Sequence, residues 1–139
     1  MPMWKIYHPE QTFSAEEKQQ IAQKVTAIYS NFLPKFYVNV FFEVLKPESC
    51  YIGGEERQDF VRVTIDHIAR SIKSAEAQQQ FLSACTQILT PYLETHRLAW
   101  ELHVNETSFE LWTINGLKPP LPETEAEKKW RLENKPSAY

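Results

Sequence analysis

A chain of 139 residues is long enough to bury a core of its own as one domain, and 42% hydrophobic with 24% charged residues is ordinary globular composition. A net charge of −3 with no Lys/Arg cluster gives no electrostatic footprint for nucleic acid. No apolar run reaches membrane-spanning length and no secretory leader is visible, so no membrane partner is expected and the cytoplasm is the default location. The two cysteines, Cys50 and Cys85, fit no CxxC or zinc spacing.

The chain begins "MPMWKIYHP", and residues 3–8 alternate as a short strand. Proline is a poor strand opener because it brings no N–H to the ladder, although the first position tolerates it. It also permits removal of the initiator methionine, which would leave Pro2 as a secondary amine able to act as base or nucleophile. With Met1 retained, Pro2 is an amide nitrogen without basicity. A helix follows over "FSAEEKQQIAQKVTAIYSNF". Ser14 and Glu17 form a capping box, Ile21, Val25, Ile28 and Phe32 make one apolar stripe, and Pro34 closes the element. "FYVNVFFEVL" is a strand rich in β-branched and aromatic residues.

The order then repeats. Gly53-Gly54 marks a turn, and "DFVRVTIDHIA" alternates with Val61, Val63 and Ile65 on one face and Arg62, Thr64 and Asp66 on the other. A long helix starts near Ser74. Its stripe of Phe81, Leu82, Cys85, Ile88, Leu89, Tyr92 and Leu93 contains Pro91, where a kink or early end is expected. "LAWELHVNE" is the last main strand. Two β-α-β units, about residues 2–58 and 59–118, predict an α/β (α+β) fold with a four-stranded mixed sheet and both helices on one face. Because "FYVNVFFEVL" is apolar on both faces, the open face is expected to be covered by self-association. Residues 119–139 read as a Pro-rich linker and a short helix capped by Thr124 and Glu127, with Trp130 as an anchor onto the body or a neighbouring subunit.

"PMWKIYHP", "YIGGEERQDFVRVTIDHIARSIKSAE" and "ELWTINGLKPP", in this order and spacing, resemble the tautomerase superfamily. Within it the similarity is to the cis-3-chloroacrylic acid dehalogenase branch and its oxalocrotonate-tautomerase-like members. The resemblance implies a homotrimer and a catalytic amino-terminal proline, matched by Pro2, with no metal or organic cofactor. It implies two arginines that hold a substrate carboxylate. Arg70 matches the first, and Lys73 takes the place of the second, keeping the charge but losing the planar fork. Dehalogenases of this branch use a histidine where Tyr29 stands and a tyrosine near His103. By ungapped count Ile114 replaces their water-orienting glutamate, with Glu110 and Asn115 close by. An isoleucine accepts no proton, so the resemblance implies proton transfer: keto–enol tautomerisation of a small 2-oxo or unsaturated acid, with Pro2 as base. Burial among Trp4 and phenylalanines, and the charge of Arg70, would lower the amine's pKa into the working range.

The alternatives are a hydratase, dehalogenase or decarboxylase with Pro2 as a cationic acid, or a non-catalytic binding module on the same fold. His8, His67 and His96 read as strand-end or loop residues. Asn39, Glu43 and Glu106 are equally readable as interface or catalytic polar groups.

Overall fold

The computed structural model describes residues 1–139. In chain order the main elements are β1 (Pro2–Pro9), α1 (Ala15–Tyr29), β2 (Asn39–Leu45), the small hairpin strands β3 (Tyr51–Ile52) and β4 (Glu55–Glu56), β5 (Phe60–Ile68), α2 (Ala75–Thr95), β6 (Ala99–Thr107) and α3 (Glu125–Glu133). Strands order as β2-β1-β5-β6, with β1–β2 and β5–β6 parallel and β1–β5 antiparallel at the centre. Each parallel pair is closed by its own crossover helix, so the two β-α-β units expected from the pattern meet back to back.

Period-two burial fixes which way the strands face. Trp4 and Ile6 of β1 and Val61, Val63 and Ile65 of β5 are fully buried, and they pack with Ile21 and Val25 of α1 and Cys85, Leu89 and Leu93 of α2. Both helices therefore cover one face. The α1 capping box forms as the sequence predicts, with Ser14 and Glu17 bonding reciprocally. Gly53 and Gly54 both take positive φ (61° and 87°), the conformation a two-residue hairpin requires.

Three expectations change. Phe36 and Tyr37 leave the strand for a 3-10 turn at Lys35–Tyr37, so β2 starts at Asn39 and α1 ends at Tyr29. That removes two aromatics from the sheet and sends them into an aromatic cluster with Trp112 and Trp130. The open sheet face is consequently less apolar than expected: Phe41 is exposed on it, but beside Lys5, Arg62, Thr64 and His103. Second, α2 runs through Pro91 to Thr95, because Tyr92 and Leu93 dock in the core beyond the proline. Third, the α3 capping box is half formed. Thr124 Oγ1 accepts from Glu127 N, but the Glu127 carboxylate turns away from the Thr124 backbone toward Glu123 N and Arg70.

The tail is a docked part of the body. Trp130 is fully buried, its Nε1 donates to the Ser137 carbonyl, and its ring meets Phe36, Tyr37 and Tyr139. Asn134 Oδ1 accepts from Phe36 N across the same seam. No helix is long and apolar enough to cross a membrane.

Candidate active site

The ladder explains why a proline can open β1. Met1 and Ile68 exchange both backbone hydrogen bonds, so the next pair, Pro2 and His67, is the kind in which no bond passes between the strands. The Pro2 nitrogen points away from β5, toward the side of β2. There the β2 ladder begins only at Asn39, opposite Met3, so nothing is lost where Pro2 lacks its N–H.

A cavity of about 210 Å³ opens at this end of the sheet, lined among others by Pro2, Tyr29, His67, Arg70, Ile72 and Phe81. β1 supplies Pro2, the last residue of α1 supplies Tyr29, and the end of β5 supplies His67. Ala69 then takes φ 68°, a left-handed turn strained for a non-glycine, and its N–H is held by the Thr107 carbonyl. That turn delivers Arg70 to the chain start.

A buried relay runs behind the wall. Trp4 Nε1 donates to Tyr29 Oη at 3.1 Å, and Tyr29 Oη lies 2.9 Å from His67 Nε2. Indole N–H is only a donor, so Tyr29 accepts there and best spends its own proton on His67. His67 is then protonated on Nδ1, which has no partner. Burial, and next the amino-terminal charge, lower the pKa of His67 to about 4, so the ring is neutral at physiological pH. Desolvation likewise raises the Tyr29 hydroxyl well above its ordinary value.

Arg70 Nη2 donates to Glu127 Oε1 at 2.5 Å, which places a tail carboxylate beside the chain start. The amine at that start, carried here by Met1, is pushed from the ordinary value of 8.0 to about 5. Desolvation is the chief cause; Arg70 lowers it further and Glu127 opposes.

Of the residues singled out in the sequence, the cavity brings together Pro2, Tyr29 and Arg70. Trp4 stands one layer back, reaching the cavity only through Tyr29. Lys73 is exposed in the connection before α2 and lines none of the cavity. His103 is exposed on the opposite sheet face, 3.5 Å from Arg62 Nη1, and borders a separate cavity at the β6 edge. Ile114 packs on the core in a tight turn with Leu117, while Glu110 pairs with Lys118 in solvent. Residues not singled out from the sequence are His67, read there as a strand end, and Glu127, read as a helix cap. No group of three or more His, Cys, Asp or Glu side chains converges to hold a metal ion.

Residues 1–135 match the family described as "Putative oxalocrotonate tautomerase enzyme". The chain belongs to this family of the tautomerase superfamily. Among solved structures, RhCC from Rhodococcus jostii RHA1 superposes with a TM-score of 0.94 at 38% identity, covering 99% of each chain. A structure described as "a probable enzyme from the thermophilic fungus Aspergillus fumigatus" gives 0.94 at 43%, covering 100% of this chain and 98% of its own. N1, a member of the cis-3-chloroacrylic acid dehalogenase family, gives 0.72 at 21% over 95% of this chain and 97% of its own, a likeness of fold. No curated protein matches the chain significantly.

Proposed function

We propose that this member of the superfamily is a cofactor-independent tautomerase of small 2-oxo or unsaturated carboxylic acids, with the Pro2 amine as general base once Met1 is removed. The carrying observation is the setting of the chain start, where burial first and then the Arg70 guanidinium push the first amine from its ordinary value of 8.0 down to about 5. Pro2 stands one residue on, in the same apolar cavity and beside the same guanidinium. The same burial and the same guanidinium favour the free base of a Pro2 amine, the form that removal of a proton next to a carbonyl requires.

Arg70 is the proposed partner of the substrate carboxylate. Glu127 occupies Nη2 and leaves the rest of the donor fork for the cavity side. His67 and Tyr29 set the shape and polarity of the wall. Association into a homotrimer is the proposed quaternary state. It rests on the exposure of Phe41 on the open sheet face, and would give His103 and Lys73 a route to a neighbouring subunit's site.

Intact mass before and after 3-bromopropiolate tests the reading. Loss of Met1 with one adduct on Pro2, together with turnover of a 2-oxo acid enol, is the expected result. A processed terminus that stays unlabelled would refute it and favour the binding module.

A further inference from the structure

Arg70 divides the chain-start region into two compartments. On one side lies the 210 Å³ cavity; on the other is a constriction of about 10 Å³, lined among others by Tyr37, Trp112, Pro120 and Glu127. Met1 and Arg70 belong to both walls. Met1 is also tied by two backbone hydrogen bonds to Ile68, so it is a fixed part of the partition. Its removal, which the proposed function already requires, takes away one of the two residues that stand between the compartments. The Pro2 nitrogen faces the β2 side, because its ladder position turns it away from β5.

Two polar atoms on the far wall have no partner. Tyr37 is 2% exposed and Trp112 is 6% exposed, yet Tyr37 Oη and Trp112 Nε1 make no hydrogen bond. Their rings are locked edge to face at 5.0 Å, and Tyr37 meets Trp130 on another side, so neither swings out to solvent easily. Buried orphans of this kind are costly and call for a partner, an ordered water or a ligand. Indole N–H can only donate. The Tyr37 phenol is held protonated by burial and by the nearby Glu127, so it too offers a proton. Both atoms therefore call for an acceptor. Glu127 already brings one carboxylate here, with both oxygens engaged, so a neutral carbonyl oxygen suits the compartment better than a second anion.

We propose that Tyr37 Oη and Trp112 Nε1 are substrate-binding donors that hold the 2-oxo oxygen, with Arg70 holding the carboxylate, in a site completed by departure of Met1. The assignment rests on the reading of Pro2 and Arg70 as the reactive centre. It makes the protein selective for 2-oxo acids over plain carboxylic acids, and places the oxygen that gains charge in the enolate against two fixed donors.

The test is calorimetric titration of Met1-free protein with pyruvate and with propionate, which lacks the 2-oxo oxygen. Pyruvate should bind roughly tenfold tighter. Tyr37→Phe, which keeps the ring and its packing, should remove most of that preference while leaving propionate binding unchanged, and Trp112→Phe should act in the same direction. Protein isolated with Met1 in place should show no preference. Equal binding of the two acids by the wild type, or an unchanged preference in both variants, would overturn the assignment. A persistent preference with Pro2 unlabelled by 3-bromopropiolate would count against the tautomerase reading and leave the two donors standing.

Discussion

Tyr29→Phe removes one oxygen atom and tests the relay behind the cavity. In the wild type that oxygen accepts from Trp4 Nε1 and bonds His67 Nε2, and all three residues are at most 5% exposed. Phenylalanine fills nearly the same volume, so the cost comes from polar accounting. The Trp4 donor and the His67 acceptor are both orphaned in side chains that stay almost wholly buried. Each orphan costs on the order of 1–3 kcal/mol, so a loss of about 2–6 kcal/mol is expected. At roughly 3–4 °C per kcal/mol for a domain of this size, the melting temperature should drop by about 6–24 °C. Urea unfolding at fixed protein concentration measures the free energy directly, with the m-value unchanged. Trp4→Phe and the double variant complete a cycle, and a coupling above about 0.5 kcal/mol is expected for atoms in one network. A Tyr29→Phe loss below about 0.5 kcal/mol, with no coupling to Trp4, would refute the relay.

Further outcomes follow from the same geometry. Arg70→Lys should raise KM for a 2-oxo acid roughly 10- to 100-fold with a smaller change in kcat, since an ammonium cannot serve Glu127 and a ligand through a planar fork; an unchanged KM would remove Arg70 from the site. Glu127→Gln removes the charge that raises the chain-start pKa, so the acid limb of kcat/KM against pH in Met1-free protein should move to lower pH; a shift upward would contradict the assigned sign. His67 is buried neutral with its pKa down to about 4, so the unfolded chain binds more protons between about pH 6.5 and 4. Stability should fall as pH drops through that window, by up to about 3 kcal/mol, and His67→Gln should flatten the slope in urea titrations at several pH values. Trp130→Ala should release the tail, seen as protease cleavage near residues 119–139 ahead of the sheet; cleavage no faster than wild type would show that the anchor does not hold it.

The fold was legible wherever a single element's periodicity decides its face. Val61, Val63 and Ile65 alternate cleanly, and the Ser14–Glu17 box announces α1 within four residues. What failed was decided by contacts remote in sequence. Phe36 and Tyr37 have every local reason to be strand, but Trp112 and Trp130, far along the chain, give them an aromatic cluster worth more than two further ladder positions. Pro91 has every local reason to end a helix. Burying Tyr92 and Leu93 outweighs the missing N–H, since a fully buried large side chain is worth about 1.5–3 kcal/mol.

The candidate site divides along the same line. Pro2 and Arg70 announce themselves by chemistry and position, whereas His67 gains its place only from register: its partner across the ladder is Pro2, and pairing between β1 and β5 is invisible in either strand alone. Glu127 is the sharper case. Three residues after Thr124 it satisfies a helix-cap pattern, and its backbone N–H does bond the cap, yet its carboxylate is drawn to Arg70, 57 positions earlier. An exposed cap bond contributes about 1 kcal/mol, whereas the Glu127 carboxylate, with its side chain only 8% exposed, would cost several if left without a counter-charge. A residue that meets a local rule and a tertiary demand at once follows the tertiary demand when a buried charge is at stake. This ties the tail to the chemistry: as long as Glu127 is docked, a segment that reads as a linker and spare helix helps set both the position of Arg70 and the basicity of the amine at the start of β1.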